Sequence, residues 1–202
     1  MKLFCFIPIL LIFFTSCNSK NKTNNTDIRT TASDLPALKK DSFFPVTSFI
    51  KGQIRQLDSL PVTPLHITTI NNKIDSQWIK KEQLKKELAT FLLPEIKETN
   101  LVNYFKETSF NDQTLNAITF TYDPLKPLPD SISLRHWDVY IDPETGTVTK
   151  VYLVKQLKEK SANLTLQLTW KTDKYATIVT ILIEAGGKTT LLKEDKFIWN
   201  FN

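Results

Sequence analysis

The chain has 202 residues, 41% of them hydrophobic and 23% charged, with only four glycines, which is the composition of a folded domain with its own core. Disordered, collagenous and multi-span membrane chains are excluded. A net charge of +5 permits attraction to anionic surfaces without calling for nucleic acid, and two cysteines with two histidines leave little for a disulfide scaffold or a histidine-based metal site.

Residues 1–17 read MKLFCFIPILLIFFTSC. Lys2 is a short positive start, and residues 3–14 form an apolar run interrupted only by Pro8. About twenty apolar residues are needed to cross a hydrocarbon core, so this run reads as a signal peptide, residues 1–16. Thr15-Ser16-Cys17 resembles the lipobox of bacterial lipoproteins, with Phe14 standing where leucine is usual. That resemblance implies lipidation of Cys17; an incidental thiol is the competing reading. Cys5 would leave with the signal, so the mature chain would hold one blocked cysteine and neither a disulfide nor cysteine-based zinc chemistry. Acyl chains on Cys17 would anchor the protein through about 0.8 kcal/mol per buried CH₂. In such lipoproteins Asn18, rather than aspartate, implies the outer membrane. The lack of acidic residues directly after it favours the periplasmic face.

Residues 17–40 are the lipidated cysteine and a tether rich in Asn, Thr, Ser and Lys, too polar to offset chain entropy. Residues 41–202 form a single α+β domain. A helix is expected over 43–60, with Ser42 as cap, Pro45 in its first turn, and Phe49, Ile50, Ile54 and Leu57 at helical spacing. Pro61 and Pro64 end it, 66–70 is a weak strand, and Asn71-Asn72 marks a turn. A second helix, capped by Asp75 or Ser76, carries Trp78, Ile79, Leu84, Leu88, Phe91 and Leu92 on one stripe up to Pro94. A short third helix is expected over 101–107.

From Thr114 the period changes to two. Ile118, Phe120 and Tyr122 alternate with threonines, and so do Trp137, Val139 and Ile141 with polar residues. Asp142-Pro143-Glu144-Thr145-Gly146 is a hairpin turn leading into 148–154, and 123–130, with three prolines, is a stiff exposed loop. Leu164 to Trp170 and Tyr175 to Ile183 alternate next, and Phe197, Trp199 and Phe201 close the chain after Gly186-Gly187. The expected fold is two or three N-terminal helices packed on an antiparallel β-meander of about six strands.

Concentrated chemistry is hard to find. There is no G-x-S-x-G, phosphate-binding glycine loop or H-E-x-x-H. Ser133 and His136 stand three apart on a strand and so face opposite ways. His66 and His136 read as polar residues on strands or loops, with nearby aspartates able to move His136 towards physiological titration. Asp138, Asp142 and Glu144 have the wrong spacing for calcium and read as a solvated turn. Trp78, Trp137, Trp170 and Trp199 read as core, although any left on the wet face would form an aromatic platform. Residues 155–160, KQLKEK, read as a solvated strand end.

Four segments, FFPVTSFIKGQI, DSQWIKKEQL, FTYDP and WDVYIDPETG, resemble a group of uncharacterised lipoproteins of Bacteroidota. The resemblance spans most of the chain after the tether and implies fold and location, with no activity to carry over. Val139, Asp142, Thr145 and Gly146 are also similar to the hairpin of PepSY-type domains, which implies a peptidase-modulating or binding role. The expectation is a non-enzymatic, lipid-anchored envelope protein that binds a protein or glycan. It is expected to have no cofactor, no metal and no nucleic-acid partner. The alternatives are a hydrolase with an unrecognised carboxylate site and a carrier of a small apolar ligand.

Overall fold

A computed structural model describes residues 42–158, 163–184 and 186–201. The signal peptide, Cys17 and the tether lie outside the described residues. α1 spans Val46–Ser59 and buries Val46, Thr47, Ile50 and Leu57. Its start lacks a side-chain cap: Pro45 occupies the capping position in place of the expected Ser42. The neighbouring strap 95–98 holds it instead, with Phe43 N–H donating to Glu98 O (2.8 Å) and Ile96 N–H to the Thr47 hydroxyl (2.7 Å).

The next region overturns the sequence expectation. β1 (Leu65–Ile70) turns at Asn71 and Asn72, both left-handed at φ 50° and 62°, and returns as β2 (Lys73–Trp78) in register Ile70↔Lys73 to Leu65↔Trp78. Two consecutive left-handed residues make a turn whose twist matches a hairpin, so Asp75, Ser76 and Trp78 lie on a strand. The helix starts only at Lys81: α2 is Lys81–Leu88, followed by a 3₁₀ turn at Ala89–Leu92. Ile79, Leu84, Leu88 and Phe91 form its buried stripe.

The expected third helix is also absent among the described residues. A turn at 101–104 leads into β3 (Phe105–Asp112), which pairs with β4 (Ala117–Pro124). The meander continues through β5 (Leu134–Ile141), β6 (Val148–Lys158), β7 (Asn163–Lys171), β8 (Tyr175–Ile183) and β9 (Thr189–Ile198). Phe201 lies beyond β9. β1 then pairs antiparallel with β9, giving one nine-stranded sheet in the order β2-β1-β9-β8-β7-β6-β5-β4-β3. The fold of the described residues is therefore a wide antiparallel sheet with two short helices, not several helices on six strands. The β5–β6 turn forms as expected: Asp142 accepts from the Glu144 and Thr145 amides (2.8 and 3.0 Å), and Gly146 sits at φ 67°.

The helices cover one face of the middle strands. Trp137 stacks on Tyr122 (ring centroids 4.5 Å apart, planes at 7°) and meets Phe43 and Phe105 edge-on, while Phe91 meets Trp170 edge-on. Tyr122 Oη accepts the Phe44 amide, and burial above all pushes its phenol pKa well upward. Burying each such ring stabilises the fold by about 1.5–3 kcal/mol.

Candidate functional site

Strand pairing places each candidate on one of two faces, because side chains alternate. The inward face carries Trp137, Val139, Val151, Leu153, Trp170 and Phe197 under the helices. The outward face carries Thr121, His136, Asp138 and Tyr140.

On the outward face, His136 donates Nδ1–H to Asp123 (2.9 Å) and Nε2–H to Asp138 (3.0 Å). Asp138 also accepts from the Thr121 hydroxyl at 2.7 Å. The Asp138 hydrogen bond chiefly raises the imidazole pKa, to about 9, against the opposing effect of burial. Burial works to raise the Asp138 carboxyl, but its bonds from His136 and Thr121 outweigh it and hold it below the usual range. This is a charged imidazolium clamped by two carboxylates, with both ring nitrogens occupied. Asp123, expected in the proline loop, belongs to β4, and Asp138 is drawn away from Asp142 and Glu144. The expected acidic turn is therefore two separate features.

His66 lies on the inward face, stacked on Phe197 at 4.4 Å. Its Nε2 bonds Asp195 Oδ1 at 2.8 Å, the Thr68 hydroxyl donates to the same oxygen at 3.0 Å, and Lys193 pairs with Oδ2 at 2.9 Å. Nothing in the sequence flagged Asp195, which stands on a different strand 129 positions away. No group of three His, Cys, Asp or Glu residues is placed to hold a metal ion among the described residues.

Ser133 and His136 are not brought together: Ser133 lines a groove beside Lys155 and His136 faces outward. Lys155 corrects the reading of 155–160 as a solvated strand end. It is only 3% exposed, on the inward face, and its ammonium donates to the Thr90 and Leu93 carbonyls. Burial lowers its pKa to about 8. Lys158 follows the original expectation, pairing with Asp130 at the surface (2.6 Å).

Of the four tryptophans, Trp137, Trp170 and Trp199 are buried, and Trp78 is 63% exposed beside Phe201, itself 62% exposed, with centroids 5.9 Å apart. Trp78 ends β2, an edge strand whose six residues are all exposed. Its pairing with β1 puts Ile74, Ser76 and Trp78 outward and Lys73, Asp75 and Gln77 inward. The opposite edge, β3, carries Lys106 and Asp112 among its outward positions, and such charges discourage strand addition. The outward row of β2 has no charge and two large apolar side chains, with Ile74 73% exposed. β2 is thus an exposed edge whose outward row is apolar and whose charges, Lys73 and Asp75, are confined to the inward face. No family model, no curated protein and no solved structure matches this chain.

Proposed function

We propose that the protein is a non-enzymatic binding module, anchored by a lipid on Cys17 to the periplasmic face of the outer membrane, that captures an extended peptide segment on the free edge of β2. One observation carries the reading: an edge strand exposed along its whole length, with the apolar Ile74 and Trp78 on its outward face and its charges, Lys73 and Asp75, on the other. A peptide adding there gains main-chain hydrogen bonds from the edge and side-chain selectivity from the apolar Ile74 and Trp78 of the outward row. Trp78 and Phe201 supply the aromatic anchor at one end, with Ile74 about 13 Å away at about 3.3 Å per residue.

The test is a photo-crosslinking residue placed at Gln77 of the full chain in growing cells, with Lys51 on α1 as control. A discrete protein adduct from Gln77 but not from Lys51, lost in both Ile74→Lys and Trp78→Ala, is the expected result. A protein adduct lost in Trp78→Ala but kept in Ile74→Lys would contradict strand addition along β2, and equal adducts from both positions would contradict the reading.

A further inference from the structure

Lys155 is the most isolated buried charge among the described residues. Two of its three N–H donors go to the carbonyls of Thr90 and Leu93, at the end of the 3₁₀ turn. No carboxylate pairs with it among the described residues, and burial alone accounts for its lowered pKa. Taking an ammonium out of water is costly without a counter-charge, and carbonyl dipoles offset only part of that cost.

Lys155 and the two residues whose carbonyls hold its ammonium, Thr90 and Leu93, border a groove of about 510 Å³ together with Ala89, Pro94, Ser133, Leu157 and Leu166. This is within the usual range for small-ligand sites. The inward face continues past Lys155 as an aliphatic ledge. Lys155 pairs with Leu166 and Leu157 with Leu164, all on the side that the helices cover further along the strands. Leu157 is 39% exposed and Leu164 and Leu166 are half-buried. A lone cation bordering an aliphatic groove is complementary to a molecule that is anionic at one end and apolar along the rest.

We propose that this groove binds an unbranched aliphatic carboxylate, its headgroup on the Lys155 ammonium and its chain along Leu157, Leu164 and Leu166. The carboxylate takes the third N–H donor and neutralises the charge, and the chain removes the leucine ledge from water. The site is separate from the β2 edge and stands or falls without it.

The full chain in its native membranes, photolabelled with a hexadecanoic acid bearing a diazirine on its chain, provides the test. Adducts should map to peptides containing Leu157, Leu164 or Leu166. Dodecanoate should compete, and dodecanol should compete about tenfold less well, as expected for loss of a charged hydrogen bond. Lys155→Met should reduce labelling by a similar factor. Leu157→Glu, which sets a like charge on a half-open position and leaves the core untouched, should do the same without lowering the melting temperature. Adducts confined to other surfaces, equal competition by dodecanol, or full labelling of Leu157→Glu would overturn the proposal.

Discussion

With Asp123 on one ring nitrogen and Asp138 on the other, His136 keeps its proton to about pH 9 in the folded chain, against an ordinary value of 6.5. A folded-state pKa above the unfolded one means that the stabilisation is fully present below about pH 6.5 and is lost as pH rises through about 9. Between about pH 6.5 and 8, below the range where the depressed Lys155 starts to lose its proton and acts in the opposite sense, urea midpoints should therefore fall, and His136→Gln should flatten the slope. An unchanged slope in the variant would show that the clamp contributes nothing. Thr119 presents the opposite problem: its buried hydroxyl has no partner among the described residues. Thr119→Val keeps the shape and removes the unsatisfied group, so stability should rise by about 1 kcal/mol, read from the same urea midpoints. A fall would mean that the hydroxyl is satisfied. The sequence pointed to nearby aspartates acting on His136, but Asp123 meets His136 only once β4 and β5 pair, and nothing in the sequence marks the Thr119 hydroxyl as buried. Lys155 was misread for a related reason: KQLKEK looks solvated until the 3₁₀ turn covers its first lysine.

The hairpin of β1 and β2 shows where local signals compete. Asn71-Asn72 announced a turn, yet Trp78, Ile79, Leu84 and Leu88 fit a helical stripe equally well, and the turn's geometry decides how far the strand runs. Because Asn72 sits at φ 62°, Asn72→Gly should stabilise the fold by about 0.5–1 kcal/mol and Asn72→Val should cost about 1–2 kcal/mol, both measured by denaturant unfolding. The reverse order would contradict a left-handed turn. β3 was harder still to read: only Phe105 of its eight residues is buried, so no alternation betrays it. By contrast, β4 to β8 were visible because their apolar side chains alternate with polar ones, and Asp142 to Gly146 spelled out its own turn. Of the expected stripe of the second helix, Ile79, Leu84, Leu88 and Phe91 are buried as expected, whereas Trp78 belongs to β2 and is exposed, and the helix starts only at Lys81.

At the scale of the whole molecule, helices cover the middle of a nine-stranded sheet and leave its β2 margin open. Composition and period pointed to an antiparallel sheet with helices on one face. They could not show that β1 returns to pair with β9, since that contact joins positions far apart in the chain. The proposed anchor makes its own prediction: Cys17→Ala should move the protein from the membrane fraction to the soluble fraction with its circular dichroism unchanged, and persistence in the membrane fraction would remove the lipid from the account. The binding claim is tested most directly by amide hydrogen exchange on the full chain, compared between native envelopes and purified protein in lipid nanodiscs. Added protection of Lys73 to Trp78 in the envelopes, with β3 unchanged, is the predicted result. Equal exchange of β2 in both settings would contradict it.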